Sequence, residues 1–99
     1  MFWESDDAIC KIEELAAHYK AEGNYVQAKS LYTCLIAMIK KSHGTENEKL
    51  ALNFYRLAET YSDEGNYQAA QTYYHRASEI WSRIHPNTPL SMLSHSQSL

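Results

Sequence analysis

Apolar residues recur at spacings of three and four along most of the chain, the period of a helix with one face turned to a core. The first run is Ile9, Ile12, Leu15, Ala16 and Tyr19. Ser5, Asp6 and Asp7 precede it and offer N-cap candidates and negative charge for a helix start. Gly23-Asn24 tolerates left-handed and turn backbone, so this helix is predicted to end near Glu22. A second run, Tyr25, Ala28, Leu31, Tyr32, Leu35, Met38 and Ile39, reaches about Ser42 and stops at His43-Gly44. Thr45-Glu46-Asn47-Glu48 has the spacing of a capping box, with Thr45 as the cap of a third helix. That helix turns Leu50, Phe54, Leu57, Ala58 and Tyr61 inward and ends at Gly65-Asn66. The fourth carries Tyr67, Ala70, Tyr73, Tyr74, Ala77, Ile80, Trp81 and Ile84 until Pro86, which cannot continue a helix. No stretch of strand length alternates with period two, so the fold is predicted to be all-α.

The pattern is duplicated. Glu-Gly-Asn-Tyr occurs at Glu22–Tyr25 and again at Glu64–Tyr67, an offset of 42 residues. The same offset lays Leu15-Ala16 on Leu57-Ala58, Tyr19 on Tyr61, Ala28 on Ala70, Tyr32 on Tyr74 and His43 on His85. A period of this length is the mark of a stacked repeat. It divides the chain into a tail at 1–5, a first repeat at 6–44, a second at 45–87, and a partial capping helix or tail at 88–99. Two- or three-residue turns make neighbouring helices antiparallel. Ala16, Ala28, Ala58 and Ala70 lie near the hairpin turns, where small side chains let the helices approach. Within 88–99, Leu93 falls in register with Ile9 and Ala51, as the start of a third repeat would.

Composition narrows the class of function. A net charge of −3 with interspersed signs gives no basic stripe for a phosphate backbone, so nucleic acid is not an expected partner. No run of apolar residues is long enough for a membrane span. Met1-Phe2-Trp3 is followed at once by Glu4, the wrong order for a secretory leader. With only two cysteines, no disulfide scaffold is expected and the cytoplasm is the default location. The five histidines are scattered without ligand spacing, so neither a metal nor any other cofactor is expected. Glu13-Glu14 and Asp63-Glu64 splay apart on a helix, and neither Cys10 nor Cys34 has an oriented base in view, so no enzyme is expected.

Leu-Ala-x-x-Tyr, then Gly-x-Tyr, then Ala and a later aromatic, are present twice: Leu15, Ala16, Tyr19, Gly23, Tyr25, Ala28, Tyr32, and Leu57, Ala58, Tyr61, Gly65, Tyr67, Ala70, Tyr74. This pattern resembles the tetratricopeptide repeat, and the 42-residue spacing with a loop like His85-Pro86-Asn87-Thr88 is similar to the kinesin light chain subclass. The resemblance implies two antiparallel helix-turn-helix units stacked as a segment of right-handed α-solenoid, with a partial third helix at the C-terminal end. It also implies a concave groove lined by the first helix of each repeat. On the helical wheel Cys10, Glu13, Ala17 and Lys20 lie opposite the apolar face of the first helix. Leu52, Tyr55, Glu59 and Ser62 take the equivalent face of the third, with Arg56 at its margin. Members that grip a C-terminal carboxylate have lysine and asparagine at positions held here by Glu13, Ala17, Tyr55 and Glu59. Kinesin light chain repeats often place paired asparagines before Leu-Ala, where this chain has Glu13-Glu14 and Tyr55-Arg56.

The expected function is a non-catalytic adaptor or scaffold. It would bind a partner protein or peptide through Glu13, Ala17, Lys20, Tyr55, Arg56, Glu59 and Ser62. Tyr55 and Arg56 are residue types enriched at binding hot spots. The alternative is a structural role, self-association or stacking on further repeats through Tyr73, Tyr74, Trp81 and Leu93.

Overall fold

The structure, a computed structural model, describes residues 6–88. The expected tail at 1–5, the cap candidate Ser5, and Leu93 with the rest of 89–99 lie outside the described residues. Four helices follow in order: α1 (Asp6–Ala21), α2 (Tyr25–His43), α3 (Glu48–Glu64) and α4 (Tyr67–Ile84). Each packs chiefly on the next, α1 on α2, α2 on α3 and α3 on α4.

The duplicated tetrapeptide is one helix end fused to the next helix start. Gly23 and Gly65 have φ of 81° and 95°, in the left-handed region. The Gly23 amide bonds to the Lys20 carbonyl and the Asn24 amide to Tyr19; Gly65 and Asn66 repeat this on Ser62 and Tyr61. These are the paired bonds of a Schellman motif, and they satisfy carbonyls that a helix end otherwise strands. Asn24 and Asn66 then accept the first helical bonds of α2 and α4, from Ala28 and Ala70. The Asn66 side chain also accepts from the Ala69 amide. With so short a turn between them, the paired helices are pressed together there, and Ala16, Ala28, Ala58 and Ala70 are buried.

The start of α3 differs from the capping box that Thr45 and Glu48 suggest. Asn47 is the cap, in extended backbone, and its side-chain oxygen accepts from the Leu50 amide at 2.9 Å. Its side-chain nitrogen donates back to the Gly44 carbonyl, closing the α2–α3 turn. One asparagine amide thus serves as both acceptor and donor, with its two ends reaching the helix and the turn at once.

The core is one cluster that includes Ile9, Tyr32, Leu35, Ile39, Leu50, Phe54, Leu57, Ala77, Ile80 and Trp81. Two positions expected to face inward do not. Leu15 is 45% exposed, although its repeat equivalent Leu57 is 2% exposed. Leu57 sits in α3 packed between α2 and α4, while α1 packs chiefly on α2. Tyr67, in the first turn of α4, is 66% exposed.

Two aromatic residues expected to form an outward stacking surface also turn inward. Tyr73 stacks on Phe54 and Tyr61, with centroids 6.1 and 5.4 Å apart. Trp81 is buried, and its indole nitrogen donates to the Thr88 carbonyl at 2.8 Å. The helical period explains both: Tyr73, Ala77, Ile80, Trp81 and Ile84 fall on the stripe that α4 lays on its neighbours. Trp81 also meets the His85 ring at a tilt, centroids 4.4 Å apart, and the His85 ring meets the Glu48 carboxylate at 2.8 Å. The end of α4 is thereby tied to the start of α3.

Candidate functional site

The face shared by α1 and α3 carries the residues singled out for partner binding. Side chains on α1 meet side chains on α3 at two points along it. At one end Asn53, fully buried, donates to the Glu13 carboxylate at 2.8 Å and to the Lys49 carbonyl at 2.9 Å. The Lys49 ammonium lies 3.9 Å from the other Glu13 oxygen. Near the other end Lys20 pairs with Asp63 at 3.1 Å. Glu13 and Lys20, expected as contacts for a partner, therefore also clamp α1 to α3.

Around the Glu13 clamp lies an open cavity of about 300 Å³ lined by Cys10, Glu13, Glu14, Ala17 and Arg56. Ala17 forms a small-residue gap on α1, and Arg56 reaches toward it from α3. The Arg56 Nε and the Tyr32 hydroxyl beneath it are both buried; neither makes a well-formed hydrogen bond among the described residues, but the guanidinium lies close enough to the phenol to interact with it. The guanidinium favours the ionised phenol, but burial acts more strongly and raises the Tyr32 pKa. Asn53 Oδ1 is a third buried polar atom without a partner there.

Charge along the face is mixed and partly desolvated. Burial raises the Glu59 carboxyl above its ordinary range; Lys20 and Arg56 pull it down and Asp63 pushes it up. Tyr55 meets Tyr74 of α4 edge to face at 5.3 Å. Burial, then the charge of Glu59, pushes the Tyr74 hydroxyl up to about 12, so at neutral pH it remains a donor. Ser62 is half-buried, and its carbonyl is used by the Gly65 amide.

The structure thus brings Glu13, Ala17 and Arg56 to one cavity and sets Lys20 and Arg56 near Glu59, with Tyr55 against Tyr74. It adds Glu14, Asn53 and Tyr74, which the wheel of each helix did not place there. Asn53 had one signal in the sequence, a polar residue inside the apolar stripe Leu50, Ala51, Phe54, Leu57. Tyr74 had none, since it arrives from a different helix.

No cluster of three potential metal-ligating side chains occurs among the described residues. Among them no helix is long and apolar enough to cross a membrane. Cys10 and Cys34 are free and exposed.

Paired antiparallel helices joined by identical Gly-Asn turns, with a half-buried polar face across the first helix of each pair, define a helical-repeat protein. The sequence model of the tetratricopeptide repeat matches residues 7–83, and the chain belongs to that family. Repeats of this family generally mediate protein–protein interaction and are generally not catalytic. No curated protein matches the sequence.

Proposed function

We propose that the chain is a non-catalytic adaptor whose α1–α3 face binds an extended segment of a partner protein. The observation that supports this reading most is the open cavity that Cys10, Glu13, Glu14 and Ala17 of α1 share with the Arg56 guanidinium of α3, beside the Glu13–Asn53 clamp. A groove whose wall is fixed by a clamp is preorganised, and a guanidinium at its edge attracts a carbonyl or carboxylate. Tyr55 adds an amphipathic aromatic next to it, and Glu59 gains from any cation that replaces its lost water. The 42-residue spacing is like that of kinesin light chain repeats, but the groove chemistry is not: Glu13-Glu14 and Tyr55-Arg56 offer charge and an aromatic instead of paired amides. The proposed compartment is the cytoplasm, where exposed thiols such as Cys10 and Cys34 stay reduced.

The test is selection of ligands from a displayed random peptide library, followed by competition with two variants. Ala17→Arg fills the gap from an unburied position, and the Tyr55→Ala, Arg56→Ala pair removes the anchors. Both are expected to lose selected peptides while keeping the helical circular dichroism of the parent. Peptides that bind the folded Ala17→Arg variant as well as the parent would contradict the proposal.

A second reading has its own observation. Tyr32 of α2 is fully buried beneath α3, but its repeat equivalent Tyr74 is only half-buried. Ser78 likewise stands half-buried where Ile36 is buried. Under this reading the outer face of α4 accepts a further helix, as α2 accepts α3, from a second copy or another repeat. Sedimentation equilibrium that follows one monomeric species across the concentration range would count against a second copy.

A further inference from the structure

On the other side of α3 lies a cleft that the proposed groove does not use. Phe54 and Arg56 are two residues apart, about 200° around the helix, so they serve opposite surfaces. Lys40 of α2, Leu50 and Phe54 of α3, and Arg76, Ile80 and Arg83 of α4 line a cavity of about 180 Å³. Its floor is apolar and its rim cationic. We propose that this cleft is a second docking surface, which takes an apolar side chain of a partner protein flanked by carboxylates.

Size argues for a single side chain, because a cavity of about 150 Å³ already holds a benzene-sized group. Charge argues for acidic neighbours. The chain as a whole carries −3, yet the rim sets Lys40, Arg76 and Arg83 against a single lining acid, Glu79. Glu79 is itself turned to His75, 3.7 Å away. Arg76 has no ion pair among the described residues, and Arg83 reaches only Glu46, at 4.0 Å with both side chains more than half exposed. An exposed pair at that distance is cheap to exchange for a new carboxylate. Lys40 lies over the Phe54 ring, 5.6 Å from its centroid. It covers the apolar floor while remaining free to swing toward an incoming acid. Arg76, Ile80 and Arg83 recur at four and three residues on α4, so one helix presents charge, floor and charge in line.

The probe is a fluorescein-labelled peptide with one phenylalanine between pairs of glutamates, followed by anisotropy. Two controls replace its phenylalanine by serine or its glutamates by lysine. Arg76→Glu alters an exposed side chain without an internal ion pair and is expected to weaken binding at least about tenfold. The serine peptide is expected to bind at least about tenfold more weakly than the phenylalanine peptide. Equal binding of the two peptides would overturn the cleft in favour of diffuse attraction. So would unchanged affinity in a folded Arg76→Glu variant, or competition that follows Ala17→Arg and places the peptide in the α1–α3 groove. Binding of the lysine peptide as tightly as the glutamate peptide would overturn the charge argument.

Discussion

At the scale of single residues, the two turn glycines separate backbone strain from steric crowding. A Cβ added at Gly65 would meet no heavy atom within 4 Å, yet φ is 95°. Gly65→Ala is therefore expected to cost about 1–2 kcal/mol through left-handed strain alone. Gly65→Asn should cost less, since asparagine tolerates that region. Urea unfolding of the two variants checks both the size and the order. Glu59 gives a pH prediction. Its folded pKa is raised from 4.5, chiefly by desolvation against the opposing pull of Lys20 and Arg56. Its contribution to stability is thus present below the unfolded value and lost as pH rises through the folded one. Glu59→Gln should melt above the parent at neutral pH, and the two should converge below the ordinary carboxylate pKa. A gap in melting temperature that stays constant with pH would mean that Glu59 does not titrate as described. Residue-scale features were the least legible in the sequence. Leu15 and Leu57 are the same letter in the same repeat position, but Leu57 is packed between two helices while α1 packs chiefly on α2. Asn53 looks like a lapse in an apolar stripe until α1 supplies Glu13 opposite it.

At the scale of elements, all four helices followed from the 3.6-residue period and two of their three turns from the Gly-Asn pairs, because both act within one segment. The α3 cap shows where local pattern misleads. Thr45 and Glu48 have capping-box spacing, but Asn47 lies nearer the helix and bonds in both directions. Asn47→Ala is expected to lower stability by about 1 kcal/mol, as loss of a cap does. Thr45→Ala should be neutral within a few tenths of a kcal/mol. The reverse order in thermal unfolding would restore the capping box. Element contacts were half legible. The stripe on α4 announces a packed helix, but period alone does not say that Tyr73 and Trp81 are spent on α3 and the Thr88 carbonyl while Tyr74 turns to Tyr55.

At the scale of the whole molecule, the family was written in the 42-residue offset and the pattern it repeats. The groove was legible as a face and not as a site. Each helix wheel names its own polar side, but the distance across α1 and α3 depends on the Asn53 and Lys20 clamps. Those clamps make a testable statement about rigidity. Asn53→Ala removes the buried link to Glu13 and is expected to destabilise the chain by about 1–3 kcal/mol. It should also weaken selected peptides, even though Asn53 does not face the solvent. A variant that loses stability but keeps full peptide affinity would show that the clamp has no part in shaping the groove. The central claim is that the α1–α3 face is where a partner binds. Its most direct test is an amide NMR titration of the chain with a library-selected peptide. Shifts concentrated at Ala17, Tyr55, Arg56 and Glu59 are expected. Shifts confined to the surroundings of Lys40 and Arg76, or to the outer face of α4 around Ser78, would contradict it.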